Sequence, residues 1–378
     1  VWVVPAGGGE AVRYTAPGYE SSNPRFSPDG KHLYFTSNRP GGSGSTWALR
    51  MDAPGGEAFQ MPDRPTSGST TADGRVYVWS DAAPADSARD SSRTADPFAR
   101  MQATARPPFG AITRPVDAAR FDGRHIVDMG YKANGRGYVP NPRTARTWRP
   151  AQIWIQNADG SGKRQLTNTA YSHRDVVVSP DGRTVAFVAD AELRPDSVAQ
   201  AERDSLGKLP YDAAREAEPR NDSDIFLIDV ANPGTPRRLA RQVGTENGLA
   251  WSPDGRRIAF VGRAARTTNA RLYVADVSGG APRELLGDWQ YEPDSFEWLS
   301  NGELLMTASI GGRSAVFRVP AGGGAPREII GGRRRVTGTA TDAKKTKIAY
   351  VATSMASPTE LFVADADGRN ERKLTSFN

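Results

Sequence analysis

Cysteine is absent from the 378 residues. Its absence excludes disulfide staples, thiolate nucleophiles and every zinc site built on thiolates, but it assigns no compartment, since cytoplasmic and exported proteins alike can lack it. Histidine is nearly as scarce, with only His32, His125 and His173. No G-x-S-x-G string occurs, so the chain has no strand-to-helix elbow of the kind that exposes the nucleophile of an α/β-hydrolase. The nearest strings, GGSGS from Gly41 and ADGSGK from Ala158, have the wrong spacing. His32 directly follows a turn motif and His173 sits in AYSHRD, so both read as ordinary strand-end residues rather than bases, and His125 lies within an insertion.

Other absences narrow the chemistry further. No apolar run approaches the roughly 18 residues of a membrane span, and the opening VWVVPAGGGE has neither the basic start nor the apolar stretch of a signal peptide. No membrane association is expected; export stays open, with a periplasmic or secreted location preferred to a cytoplasmic one. No glycine-rich segment carries a Walker lysine. The DADG string from Asp365 lacks the later oxygen ligands and terminal Glu of a calcium loop, so it reads as a turn. We therefore expect no metal, no cofactor and no catalytic residue in this chain. The formal charge of +6 comes from scattered arginines whose densest run is Arg333 to Arg335, which argues for a solvated surface and against nucleic-acid binding.

What the sequence does have is turn residues: Gly 39 and Pro 28 suit many short strands joined by tight turns better than they suit helices. The turns also repeat. FSPDGKHLYF starts at Phe26, VSPDGRTVAF at Val178 and WSPDGRRIAF at Trp251, with weaker copies in TADGRVYVWS from Thr71, LSNGELLMTA from Leu299 and TDAKKTKIAY from Thr341. In each full copy the Pro fixes φ, the Gly admits a positive φ, and the Asp between them is placed to accept backbone N–H bonds as a turn former. The strand that follows alternates apolar and polar residues.

A second half follows each turn-bearing half: a strand, a Gly-, Pro- or Asp-rich turn, and a short strand after a basic residue, as in LYVADVSGGAPRELL from Leu272. Seven such second halves accompany six first halves. Two strands per half and a compact period of about 43 to 47 residues match the four-stranded blade of a β-propeller. The expected fold is all-β, a single propeller domain over residues 1–378 with six complete blades plus part of a seventh. The part blade is Val1 to Thr15, which enters at a third strand and forms outer strands without an inner pair.

Two gaps break the period and mark insertions. Between Asp73 and Asp181 the turn motif is silent for 108 residues, placing an insertion at about 81–151. The second, at about 190–222, includes DSVAQAERDSLGKL, whose composition predicts a helix with Asp196 or Ser197 as N-cap.

The three full S-P-D-G copies, each paired with a half like LYVAD…GGAPREL, resemble the repeats of TolB-like proteins and of the prolyl oligopeptidase family. The segment YKANGRGYVPN…AQIWIQNADGSGKRQLT, from Tyr131 to Thr167, is similar to a stretch in the propellers of acylaminoacyl and dipeptidyl peptidases. That resemblance spans nearly the whole chain. It implies the noncatalytic propeller of a serine exopeptidase or oligopeptidase, whose partners are a short peptide substrate and a C-terminal α/β-hydrolase domain of the same polypeptide, carrying Ser, Asp and His and absent from this chain. In such a protein the propeller covers the active site, admits short peptides and excludes folded proteins. Dipeptidyl peptidases of this kind hold the substrate's amino end on paired propeller glutamates, and Glu216 and Glu218 in AREAEPRND are the nearest candidates, although their spacing departs from an adjacent pair. A stand-alone TolB-like propeller acting as a protein-binding scaffold is the alternative; it would carry a small α/β domain before the propeller instead of a hydrolase after it. A propeller lyase or lactonase with an axial metal would need inward carboxylates and histidines that the repeats do not supply.

Overall fold

The computed structural model describes residues 1–40, 46–52, 56–61, 68–82, 148–207, 209–210, 212–217, 222–265 and 267–376. The S-P-D-G turn shows how the sequence builds its blades. In the copy at Ser252 the serine hydroxyl donates to Asp254 Oδ1 (2.6 Å) and accepts from the Arg257 amide (2.9 Å), while Asp254 Oδ1 also accepts from the Arg256 amide (3.1 Å). Gly255 turns the chain at φ +69°. The same hydroxyl-centred network recurs at Ser27, Ser179 and, with a threonine, at Thr71. These bonds hold the Asp29, Asp73, Asp181 and Asp254 carboxyls below the usual range, with the Ser or Thr hydroxyl as the leading cause in each. The aspartates are thus turn formers, as the sequence implies; the hydroxyl at the hub was not anticipated. Ser252→Ala removes the buried hydroxyl that accepts the Arg257 amide, so we expect a loss of about 0.5–1.5 kcal/mol, read as a lower denaturant midpoint at unchanged slope. An unshifted midpoint would show the network to be dispensable.

Each turn joins the first two strands of an antiparallel four-stranded blade. Blade one comprises Ser21–Phe26, His32–Ser37, Thr46–Arg50 and Phe59–Gln60, and blade two Ser69–Thr70, Val76–Ala82, Ala151–Asn157 and Arg164–Gln165. Blade three comprises Arg174–Val178, Thr184–Asp190, Ser223–Asp229 and Arg237–Ala240, and blade four Thr245–Trp251, Arg257–Arg263, Arg271–Asp276 and Arg283–Glu284. Blade five comprises Pro293–Ser300, Glu303–Ile310, Arg313–Pro320 and Arg327–Ile330, and blade six Arg335–Thr341, Lys347–Ser354, Ser357–Asp365 and Arg372–Lys373. These are the six four-stranded blades of an all-β propeller. Alternation puts apolar residues on both blade faces, and adjacent blades share them: Phe187 and Phe226 meet Ile153 between blades two and three, and Trp298 and Phe317 meet Leu272 between four and five. Indole N–H groups add ties between neighbours, Trp251 to the Val177 carbonyl (3.2 Å) and Trp298 to that of Ala250 (3.0 Å).

First strands carry a recurrent irregularity. Those of blades one, three, four and six each have a β-bulge with one residue at positive φ: Asn23, Asp175, Gly248 and Gly338. Asn, Asp and Gly tolerate that conformation at least cost. Across two blades, Asp175 Oδ2 accepts the Gly248 amide at 3.0 Å.

The N-terminal strands Trp2–Val3 and Val12–Arg13 pair only with each other among the described residues. Val1, Val3 and Tyr14 pack on Leu33, Phe35 and Leu49 of blade one, and on the other side Arg372 of blade six donates to the Ala6 and Gly7 carbonyls. The hairpin thus contacts both blade one and blade six, as the expected outer part of a seventh blade would.

Candidate functional site

Blade three carries the excursion from which the candidate glutamates come. Its second strand ends at Asp190 and its third begins at Ser223. Arg194 clamps the departing chain, pairing with Asp190 (2.8 Å) and with Glu202. Helix α1 (Asp196–Leu206) follows where the sequence predicts a helix. Its N-cap, however, is Pro195, with no side-chain cap bond. The reason is that the Asp196 carboxylate is taken by the amide (2.9 Å) and hydroxyl (2.5 Å) of Ser172, which moors the helix to the blade. Helix α2 (Ala213–Ala217) begins after Asp212, whose Oδ1 accepts the Arg215 amide at 2.8 Å. Glu216 lies on α2, and Glu218 falls outside the described residues.

The excursion returns to the blade through a group of carboxylates that sequence reasoning missed. Asp222 Oδ1 accepts the Gly244 amide at 2.8 Å. Gly244 has φ +122°, and a Cβ there would lie 2.0 Å from the Arg263 carbonyl oxygen, so the entry into the first strand of blade four, beside the end of its second, requires glycine. Next to it, Asp224 and Glu246 are buried at 1% and 3% exposure. Arg238 Nε stands 3.2 Å from Asp224 Oδ2, yet burial outweighs that charge and the Asp224 carboxyl is pushed up to about 6. Among the described residues, Glu246 has no hydrogen-bond partner at Oε2. Burial, then Asp224 and Asp222, push it up to about 8. The signal in the sequence was Asp224 near the start of the strand SDIFLID and Glu246 near the start of TENGLAW.

This arrangement predicts a pH dependence. A carboxyl whose folded pKa is raised binds its proton more tightly in the native state, so its contribution is fully present below the unfolded value and is lost as pH rises through the folded one. Glu246 therefore destabilises the fold progressively between about pH 4.5 and pH 8, by up to about 1.4 kcal/mol per pH unit. Thermal melts should show a lower Tm at pH 8.5 than at pH 5, with the difference reduced in Glu246→Gln. An equal pH dependence in the variant would rule Glu246 out as the source.

Two of the three histidines lie among the described residues. His173 is fully buried, its Nδ1 2.9 Å from the Ala151 carbonyl, and packed against Tyr171 and Phe187; burial lowers its pKa. His32 opens a strand and stacks on Tyr34 at 6.1 Å, and His125 lies outside the described residues. Among the described residues, no three His, Cys, Asp or Glu side chains are grouped to hold a metal.

Blade order, register and turn chemistry define the class of protein, a β-propeller of six four-stranded blades with an additional outer hairpin. Within that class it resembles the propellers of prolyl oligopeptidase-family peptidases. It is similar to dipeptidyl-peptidase 5 of Arthroderma otae, 28% identical over 152 residues, or 39% of this chain and 19% of that protein. Pyrococcus horikoshii acylaminoacyl peptidase superposes on 98% of the chain and 46% of its own, at TM-score 0.52 and 17% identity. Oligogalacturonate lyase from Vibrio parahaemolyticus superposes on 100% of this chain and 86% of its own at TM-score 0.60 and 10% identity, a likeness of fold alone. No protein-family profile matches the chain.

Proposed function

We propose that this chain is the noncatalytic propeller of a serine exopeptidase of the dipeptidyl or acylaminoacyl peptidase kind, and that it admits short peptides to a C-terminal α/β-hydrolase domain of the same polypeptide. The observation that carries this reading is the 152-residue sequence match to dipeptidyl-peptidase 5 proteins, joined to a propeller whose third blade bears a helical excursion. In this reading the blades are a rigid frame, and the excursion from blade three supplies contacts to substrate, as loops on rigid scaffolds commonly do. Glu216 and Glu218 hold the substrate's ammonium group, which loses its hydration on entering a closed cavity and needs carboxylate partners there. The frame sets an upper limit on substrate size, because a folded protein cannot pass where an extended peptide can.

Size selection is testable on the polypeptide that carries the hydrolase domain. Peptides of increasing length with one cleavable N-terminal sequence should show kcat/KM falling at least about tenfold between the shortest and a folded protein bearing that same sequence on a flexible end, a loss of about 1.4 kcal/mol in transition-state binding. Cleavage that ignores length would remove the gating role.

A further inference from the structure

The space between the N-terminal hairpin and blade one is incompletely filled. There a groove of about 830 Å³ opens, walled by Tyr14, Tyr19, Trp47 and Leu49 and edged by Arg13 and Arg39. Its distinctive feature is Arg39. The guanidinium carbon lies 5.5 Å from the ring of Tyr19, 5.6 Å from that of Phe35 and 5.4 Å from that of Trp47. Three aromatic faces hold the charge by cation–π attraction and leave the polar edge of the guanidinium to find its own partners. Among the described residues no carboxylate pairs with Arg39, and its Nε is buried without a hydrogen-bond partner. The Trp47 Nε1 is a second buried donor without a partner among the described residues.

The remaining charges on the groove lean the same way. Arg13 donates to the backbone carbonyls of Thr15 (2.9 Å) and Ala16, and among the described residues it forms no ion pair. Arg50 is neutralised by Asp52 at 3.0 Å, and Glu57 is the acid on the lining. An apolar, aromatic-walled cavity with a preorganised guanidinium and an indole N–H to spare is complementary to a carboxylate carried on an apolar body.

We infer that this groove binds an organic carboxylate with a hydrophobic body, of the kind a short peptide presents at its free C-terminal end, with Arg39 as the anion-binding residue and Tyr19 and Trp47 as the walls. This site does not depend on Glu216 or Glu218, nor on the hydrolase domain, so it stands or falls separately from the proposed function. The test uses the 378-residue chain and two probes, N-acetyl-Phe-Phe with a free carboxylate and the same dipeptide as its C-terminal amide. Calorimetric titration should show saturable binding of the acid and at least about tenfold weaker binding of the amide. Arg39→Gln should abolish that preference, and Arg39→Lys, which keeps the charge but loses the planar fork, should restore part of it. Hydrogen exchange on the unmutated chain gives a reading free of any folding defect: the acid should protect amides in Val12 to Tyr19 and Trp47 to Arg50. Equal binding of acid and amide, unchanged binding by a folded Arg39→Gln chain, or protection confined to other blades would each overturn the assignment.

Discussion

Replacing Glu216 and Glu218 by glutamine in a polypeptide that carries the proposed hydrolase domain is expected to lower kcat/KM for substrates with a free amino end by roughly thirty- to several-thousand-fold. The range follows from the cost of truncating one side of a desolvated charge pair, about 2–5 kcal/mol, at tenfold per 1.4 kcal/mol. N-acylated versions of the same substrates have no ammonium to hold and should stay within about twofold. That contrast is the informative part, because a variant that merely disturbed the excursion would slow both substrate classes together. If both classes kept their wild-type kcat/KM, the glutamates would be solvated residues on a loop and no amine anchor would remain.

Phe260→Ala is expected to have the largest effect on stability. Phe260 is fully buried, stacks on Tyr273 at 5.4 Å, and belongs to the core shared by Ala186, Ile225 and Leu227 of blade three and Ile258 of blade four. Removing its ring takes away transfer free energy and leaves a cavity where two sheets meet, a loss of about 3–5 kcal/mol. Because the side chain lies between blades, the loss should also appear as faster amide exchange in both blades three and four. A denaturant midpoint within error of the parent chain would mean that this interface collapses around the missing ring.

The blades were legible because their chemistry is local. The bonds that centre on the Ser252 hydroxyl and the Asp254 carboxylate span at most five residues, so the motif carries its own mechanism wherever it recurs. The start of the excursion after Asp190 followed from the broken period, and α1 followed from helix-favouring residues in DSVAQAERDSL. What could not be read depends on distant partners. Asp196 looked like an N-cap until Ser172, 24 residues earlier, took its carboxylate. Asp224 and Glu246 become coupled only because blades three and four bring them into one buried volume, and a strand sequence does not record what its neighbour buries. Arg39 was one of many arginines until Tyr19, Phe35 and Trp47 converged on it. Glu216 was singled out through resemblance, not through any local pattern, and its role rests on the kinetic contrast above.

The most direct test of the proposed function is to sequence the coding region that follows the Asn378 codon. An open frame encoding a G-x-S-x-G elbow, with an Asp or Glu and then a His further on, is the expected result. A stop codon at that point, with a small α/β domain encoded upstream of Val1, would contradict the peptidase reading and leave a propeller that acts as a binding scaffold.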